Sequence, residues 1–117
     1  MSLNLQKYQE LTTLLEELRS NVNKTQLDIP TLRSHLADLQ HFFLQEIAPF
    51  TDLNYRQQSY QTEISKQLRL LEVDVIFLQG ARQSTTIQAR LKTITERINI
   101  LIRFCEAILH PDEKGEY

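Results

Sequence analysis

Apolar residues recur along this chain at steps of three and four, the spacing of helices with one buried face. The stretch Gln67–Gly80, QLRLLEVDVIFLQG, departs from that simple pattern. Wound at about 100° per residue, Leu68, Leu71, Val75 and Leu78 form one stripe, continued upstream by Ile64 and Tyr60. Leu70, Val73 and Phe77 form a second stripe on nearly the opposite side. A helix apolar on two sides needs cover on two sides, from its own chain or from a partner.

The pattern predicts four helices. The first starts after Ser2, a good N-cap, and runs to about Val22, with Leu11, Leu15, Leu18 and Val22 as its seam and Leu14 widening it. After a break at Asn21–Asp28, Asp28 caps the second helix, and Pro30 sits in its first turn, where a missing N–H costs nothing. Ile29, Leu32, Leu36, Leu39, Phe43 and Ile47 carry the same rhythm, Phe42 and Leu44 flank it, and Pro49 ends the helix near Ala48. Thr51 or Asp52 begins the third helix, which runs from Leu53 to Gln79 with Gly80 as a left-handed terminator.

Ser84 or Thr85 caps the fourth helix, and with Thr85 as the cap, Gln88 completes a capping box. Its stripe is Ile87, Leu91, Ile94, Ile98, Leu101, Ile102, Cys105 and Ile108, ending near Leu109. Ile100 and Phe104 fall off that stripe, with Arg97 and Arg103 nearby. Short breaks between amphipathic helices predict an all-α, antiparallel up-down four-helix bundle. Helices three and four are the longer pair and form a hairpin. Residues 1–110 make one domain and 111–117 a disordered tail.

Composition agrees: 117 residues, 41% hydrophobic, 24% charged, with two glycines and three prolines, favour long helices over a turn-rich β fold. The net charge of −2 points to neither nucleic acid nor a membrane surface. Residues 1–54 hold four basic against seven acidic side chains, and 55–110 hold eight against five, a difference most simply read as solvated helix faces. A single cysteine excludes an internal disulfide, the N-terminus lacks a signal-peptide core, and Glu72 and Asp74 interrupt the most apolar run. A cytoplasmic protein without membrane insertion is expected.

Candidate chemistry is sparse. His35 and His41 lie about 120° apart on a helix, and no carboxylate or cysteine pairs with both. His110 suits the negative end of the fourth helix. Cys105 lies in a core stripe with no histidine at helical spacing, so an inert thiol is expected. Glu72 and Asp74 point about 160° apart and cannot converge on one substrate; an ion pair with Arg69, Arg90 or Arg97 suits them better. Arg90 and Arg97 share a side of the fourth helix, but Lys92 and Arg103 oppose them, too thin an array for phosphate binding. Tyr55 and Tyr60 fit amphipathic boundary packing. No catalytic, cofactor or metal site is expected.

What remains is surplus apolar surface: Leu70, Val73 and Phe77 on the third helix, and Ile100 and Phe104 on the fourth, with Arg97 beside them. These six residues are the candidate partner-binding set. Neighbouring helices, a second copy in an obligate homodimer, or a different protein are the three ways to cover them.

The segment QQSYQTEISKQLRLLEVDVIFLQGARQ, followed by INILIRFCEAIL, resembles the heterocyst frequency control protein PatD family of filamentous cyanobacteria. The likeness lies in the C-terminal half and extends to the rest through length and helical layout. It implies a small cytoplasmic regulator, acting at the division site, that limits heterocyst frequency and modulates assembly of the cell-division protein FtsZ. It implies no enzymatic activity and no cofactor, and it supplies no binding residues.

Overall fold

Each stripe finds its place because four helices pack around one shared core. A computed structural model describes residues 3–111. Helices α1 (Leu3–Val22), α2 (Ile29–Phe42), α3 (Tyr55–Gly80) and α4 (Ser84–Leu109) account for its regular structure. One π-helical turn, Phe43–Ile47, extends α2. Around the square, α1 packs against α2 and α4, and α3 packs against α4 and α2. Pairs of side-chain contacts fix the directions. Across α1 and α4, Thr12 meets Cys105 and Arg19 meets Asn99. Across α3 and α4, Arg56 meets Ala107 and Asp74 meets Arg97. Across α1 and the extended α2, Lys7 meets Glu46 and Asn21 meets His35. In each case one number rises as the other falls, so all three pairings are antiparallel, as an up-down bundle requires.

The core is the predicted seams. Leu11, Leu15, Leu18 and Val22 from α1, with Tyr8 added, face Leu32, Leu36, Leu39, Phe43 and Ile47. Ile64, Leu68, Leu71, Val75 and Leu78 of α3 face Ile94, Ile98, Leu101, Cys105 and Ile108 of α4. At 26 residues each, α3 and α4 form the long hairpin and outrun the 20-residue α1 and 14-residue α2. The hairpin tip overhangs an open cleft of about 820 Å³, lined on its apolar side by Val22, Leu27, Ile29, Leu78, Ile87 and Leu91.

Three local expectations need correction. Helix α3 starts at Tyr55, because Asn54 rather than Thr51 or Asp52 is its cap: Asn54 Oδ1 accepts from Gln57 N at 2.7 Å, and Gln57 Oε1 accepts from Asn54 N at 3.2 Å. This reciprocal pair satisfies two N–H groups at once, which neither earlier residue achieves. Gly80 is the last helical residue and has no positive φ; the chain leaves through Ala81 at φ −75°, ψ 138°. The extended backbone of Ala81 makes the turn, so no left-handed residue is required.

At the start of α4, Gln83 is the cap, with no side-chain bond, and Ser84 is already helical. The second helix does end at Ala48, ahead of Pro49, but through a widened last turn, with Ala48 N donating to Phe43 O at 2.8 Å. A proline ring crowds the carbonyl four residues back, and the wider turn relieves that contact. Asp28 does cap α2 by position, but its carboxylate takes a hydrogen bond from Thr31 Oγ1 and none from the backbone. The Ser2 cap and, beyond Pro111, the anticipated tail lie outside the described residues.

The start of α3 is testable. Asn54→Ala should lower unfolding stability by about 1 kcal/mol in a urea titration, whereas Thr51→Ala and Asp52→Ala should each change it by less than about 0.5 kcal/mol.

Candidate functional site: the outer face of α3

Helix α3 has two neighbours in the square, so only its inner side is covered. Its inward stripe is buried, while the second stripe stays in solvent: Leu70 is 37% exposed, Val73 42% and Phe77 51%. Ile76, absent from the sequence-derived set, joins them at 56%. Spacings of three and four place these residues as surface neighbours over two helical turns. The chain therefore leaves the second face of α3 uncovered. Ile76 escaped the sequence reading because it lies between the two stripes, yet Val73, Ile76 and Phe77 already stand at steps of three and four.

The rest of the candidate set separates from this face. Phe104, off the main stripe of the fourth helix, is covered by a neighbouring helix: it is 3% exposed and stacks at a tilt on Tyr60, ring centroids 5.6 Å apart. Arg56 lies over the Tyr60 ring at 5.0 Å and donates from Nη1 to Ala107 O at 3.0 Å. Phe104 thus belongs to a clasp joining the start of α3 to the end of α4. Ile100 is half-buried and lines a cleft with Glu16, Arg19, Asn99 and Arg103, on the α1 side of α4. Tyr55, expected to pack at a boundary, is 87% exposed.

Arg97 works inside the hairpin seam. Its Nε donates to Asp74 Oδ2 at 2.6 Å and its Nη1 to Gln67 Oε1 at 2.6 Å. Asp74 is 8% exposed, so this pair holds an otherwise uncompensated carboxylate at the edge of the core. Of the three arginines proposed for the acidic pair, Arg97 takes Asp74, and Glu72 remains on the surface. Arg90 acts at another place, with its guanidinium 4.8 Å above the Phe77 ring at the border of the apolar face.

Groups with reactive potential lie away from this face. Cys105 is fully buried; loss of solvation pushes its thiol up to about 12, against a small lowering by the Thr12 hydrogen bond. Burial likewise raises the Tyr8 phenol above its usual range, and its hydroxyl donates to Gln61 Oε1 at 2.8 Å. His35 hydrogen-bonds Asn21, and His41 is exposed. Among the described residues no three His, Cys, Asp or Glu side chains gather as metal ligands, and no helix is long and apolar enough to cross a membrane.

Set against protein families, curated proteins and solved structures, the chain matches none of them. The outer face of α3 is therefore judged on its own chemistry. An apolar patch of this kind covers on the order of 300 Å² and returns roughly 7 kcal/mol when buried. Association costs about the same or more, so apolar contact alone gives weak binding and the rim must contribute.

Two measurements probe the seam and the thiol. Asp74→Leu should cost about 2–3 kcal/mol because Arg97 is left unpaired, whereas adding Arg97→Leu should cost less than the two single changes summed. Cys105 should resist a thiol reagent at pH 8 in the native protein and react fully as urea unfolds it; the thiolate is too scarce and too enclosed otherwise.

Proposed function

We propose that this chain is a non-catalytic regulatory module that binds a protein partner through the outer face of α3. The observation carrying this reading is the contiguous exposure of Leu70, Val73, Ile76 and Phe77 on a helix whose opposite face is fully packed. Four large apolar side chains grouped on one rigid helix form the anchor expected of a helix-docking surface. The only thiol is enclosed in the core, which leaves that side chain to packing rather than to chemistry.

The resemblance to the PatD family supports a particular version: a regulator of heterocyst frequency in the cytoplasm, acting at the division site on FtsZ assembly. In this version the α3 face meets FtsZ, and neither catalysis nor a cofactor enters.

Capture of FtsZ by the immobilised chain, with light scattering of FtsZ assembly in parallel, tests both parts. Val73→Asp and Phe77→Asp should keep the helical circular dichroism signal, because both residues are exposed, and should weaken capture by at least about tenfold. Undiminished capture by both folded variants would remove the face from the site. Sedimentation of the wild type across micromolar concentrations separates this from a homodimer: a monomer there excludes the obligate dimer.

A further inference from the structure

We propose that the outer face of α3 receives an acidic amphipathic helix, an inference resting on that face being a protein-docking surface. Its apolar centre is short: Leu70, Val73, Ile76 and Phe77 span two turns, the footprint of one crossing helix rather than of a broad interface. Basic side chains border it. Lys66 and Arg69 are exposed one turn before Leu70 and Val73, and Arg90 closes the other end over Phe77. Among the described residues, neither Lys66 nor Arg69 enters an ion pair. The acids in the same stretch are Asp74, already held by Arg97, and the exposed Glu72, which stands three residues from Arg69 and four from Ile76 and so borders the face on one side. Three cations, Lys66, Arg69 and Arg90, stand against the one acid of this stretch left unpaired among the described residues, so the rim is net positive around an apolar centre and favours a partner with acidic flanks.

A second copy fits this face poorly. Two α3 faces crossed antiparallel about Val73 bring Arg69 of one copy toward Phe77 and Arg90 of the other, and a parallel crossing sets Arg69 against Arg69. Both arrangements oppose like charges. The acidic helix α1 exposes Glu10, Glu16 and Glu17, but it offers no exposed large apolar side chain among the described residues, and such a contact would not close into a dimer. The patch also falls well below the ~800 Å² per partner of a stable interface. A lipid surface asks for apolar side chains that penetrate roughly 5–10 Å, whereas Leu70 and Val73 are more than half covered by their own helix and neighbours.

The test uses a fluorescein-labelled synthetic helix of about 18 residues with a leucine stripe flanked by glutamates, long enough to be helical alone. A counterpart with lysines in place of the glutamates is the control. Anisotropy titrations at about 0.15 M ionic strength should show the glutamate peptide binding roughly tenfold tighter, with the gap narrowing as salt is added. The variant Lys66→Glu/Arg69→Glu should reverse the preference while keeping the wild-type circular dichroism spectrum. A second variant, Lys66→Gln/Arg69→Gln, should only abolish the preference. Equal binding of both peptides, or an unchanged preference in the reversed variant, overturns the proposal. So does saturable binding to phosphatidylglycerol vesicles with no peptide binding. If the peptides fail while Val73→Asp and Phe77→Asp still abolish FtsZ capture, the docking surface stands and its acidic partner falls.

Discussion

A helix in a square four-helix bundle can bury only the side turned toward its two neighbours. That constraint governs this protein, because α3 carries apolar residues on both sides of a single axis. Packing chooses Ile64, Leu68, Leu71, Val75 and Leu78 for the interior, where they meet the seams of α2 and α4. Once that side is filled, Leu70, Val73, Ile76 and Phe77 have no internal surface left to reach. The exposed face thus follows from the geometry of the bundle, and its composition is what makes it a candidate for recognition.

The hairpin seam separates the two faces. Asp74 lies on the same turns as Val73, Ile76 and Phe77, yet it points toward α4 and is held there by Arg97, with Gln67 on the other arginine nitrogen. A charged clamp at this edge fixes the rotation of α3 about its own axis. Rotation by a quarter turn would pull Asp74 from its partner and drag Phe77 toward the core, so the clamp reinforces the choice that packing makes. Near the other end of the hairpin, the clasp of Arg56, Tyr60 and Phe104 closes the start of α3 against the end of α4.

The fold class and most of the core were legible from spacing alone, because steps of three and four encode an inward stripe directly. Helix termini were less legible, and for local reasons. Asn54 beat Thr51 and Asp52 through a side-chain exchange with Gln57 that composition does not rank, and the stop ahead of Pro49 took the form of a widened turn that spacing does not signal. The candidate site was half legible: periodicity separated Leu70, Val73 and Phe77 from the core stripe but left open what covers them, and the bundle leaves them exposed. Phe104 and Ile100 did not join them, because α4 touches both α1 and α3 and so buries a wider arc than one stripe describes. Which sides of α4 those neighbours occupy is a property of the assembled square.

The packing of α1 against α4 also sets a timetable. These two helices lie furthest apart in sequence, yet they form one of the two closest-packed pairs in the bundle. During synthesis Tyr8, Leu11, Leu15 and Leu18 emerge first, and the side chains that seal them, Ile98, Leu101 and Cys105 among them, emerge last. At ~5–20 residues per second, that leaves the stripe of α1 incompletely covered for several seconds on the ribosome. Glu10, Glu16 and Glu17, exposed on the outer side of α1, give that segment a charged, hydrated face during the wait.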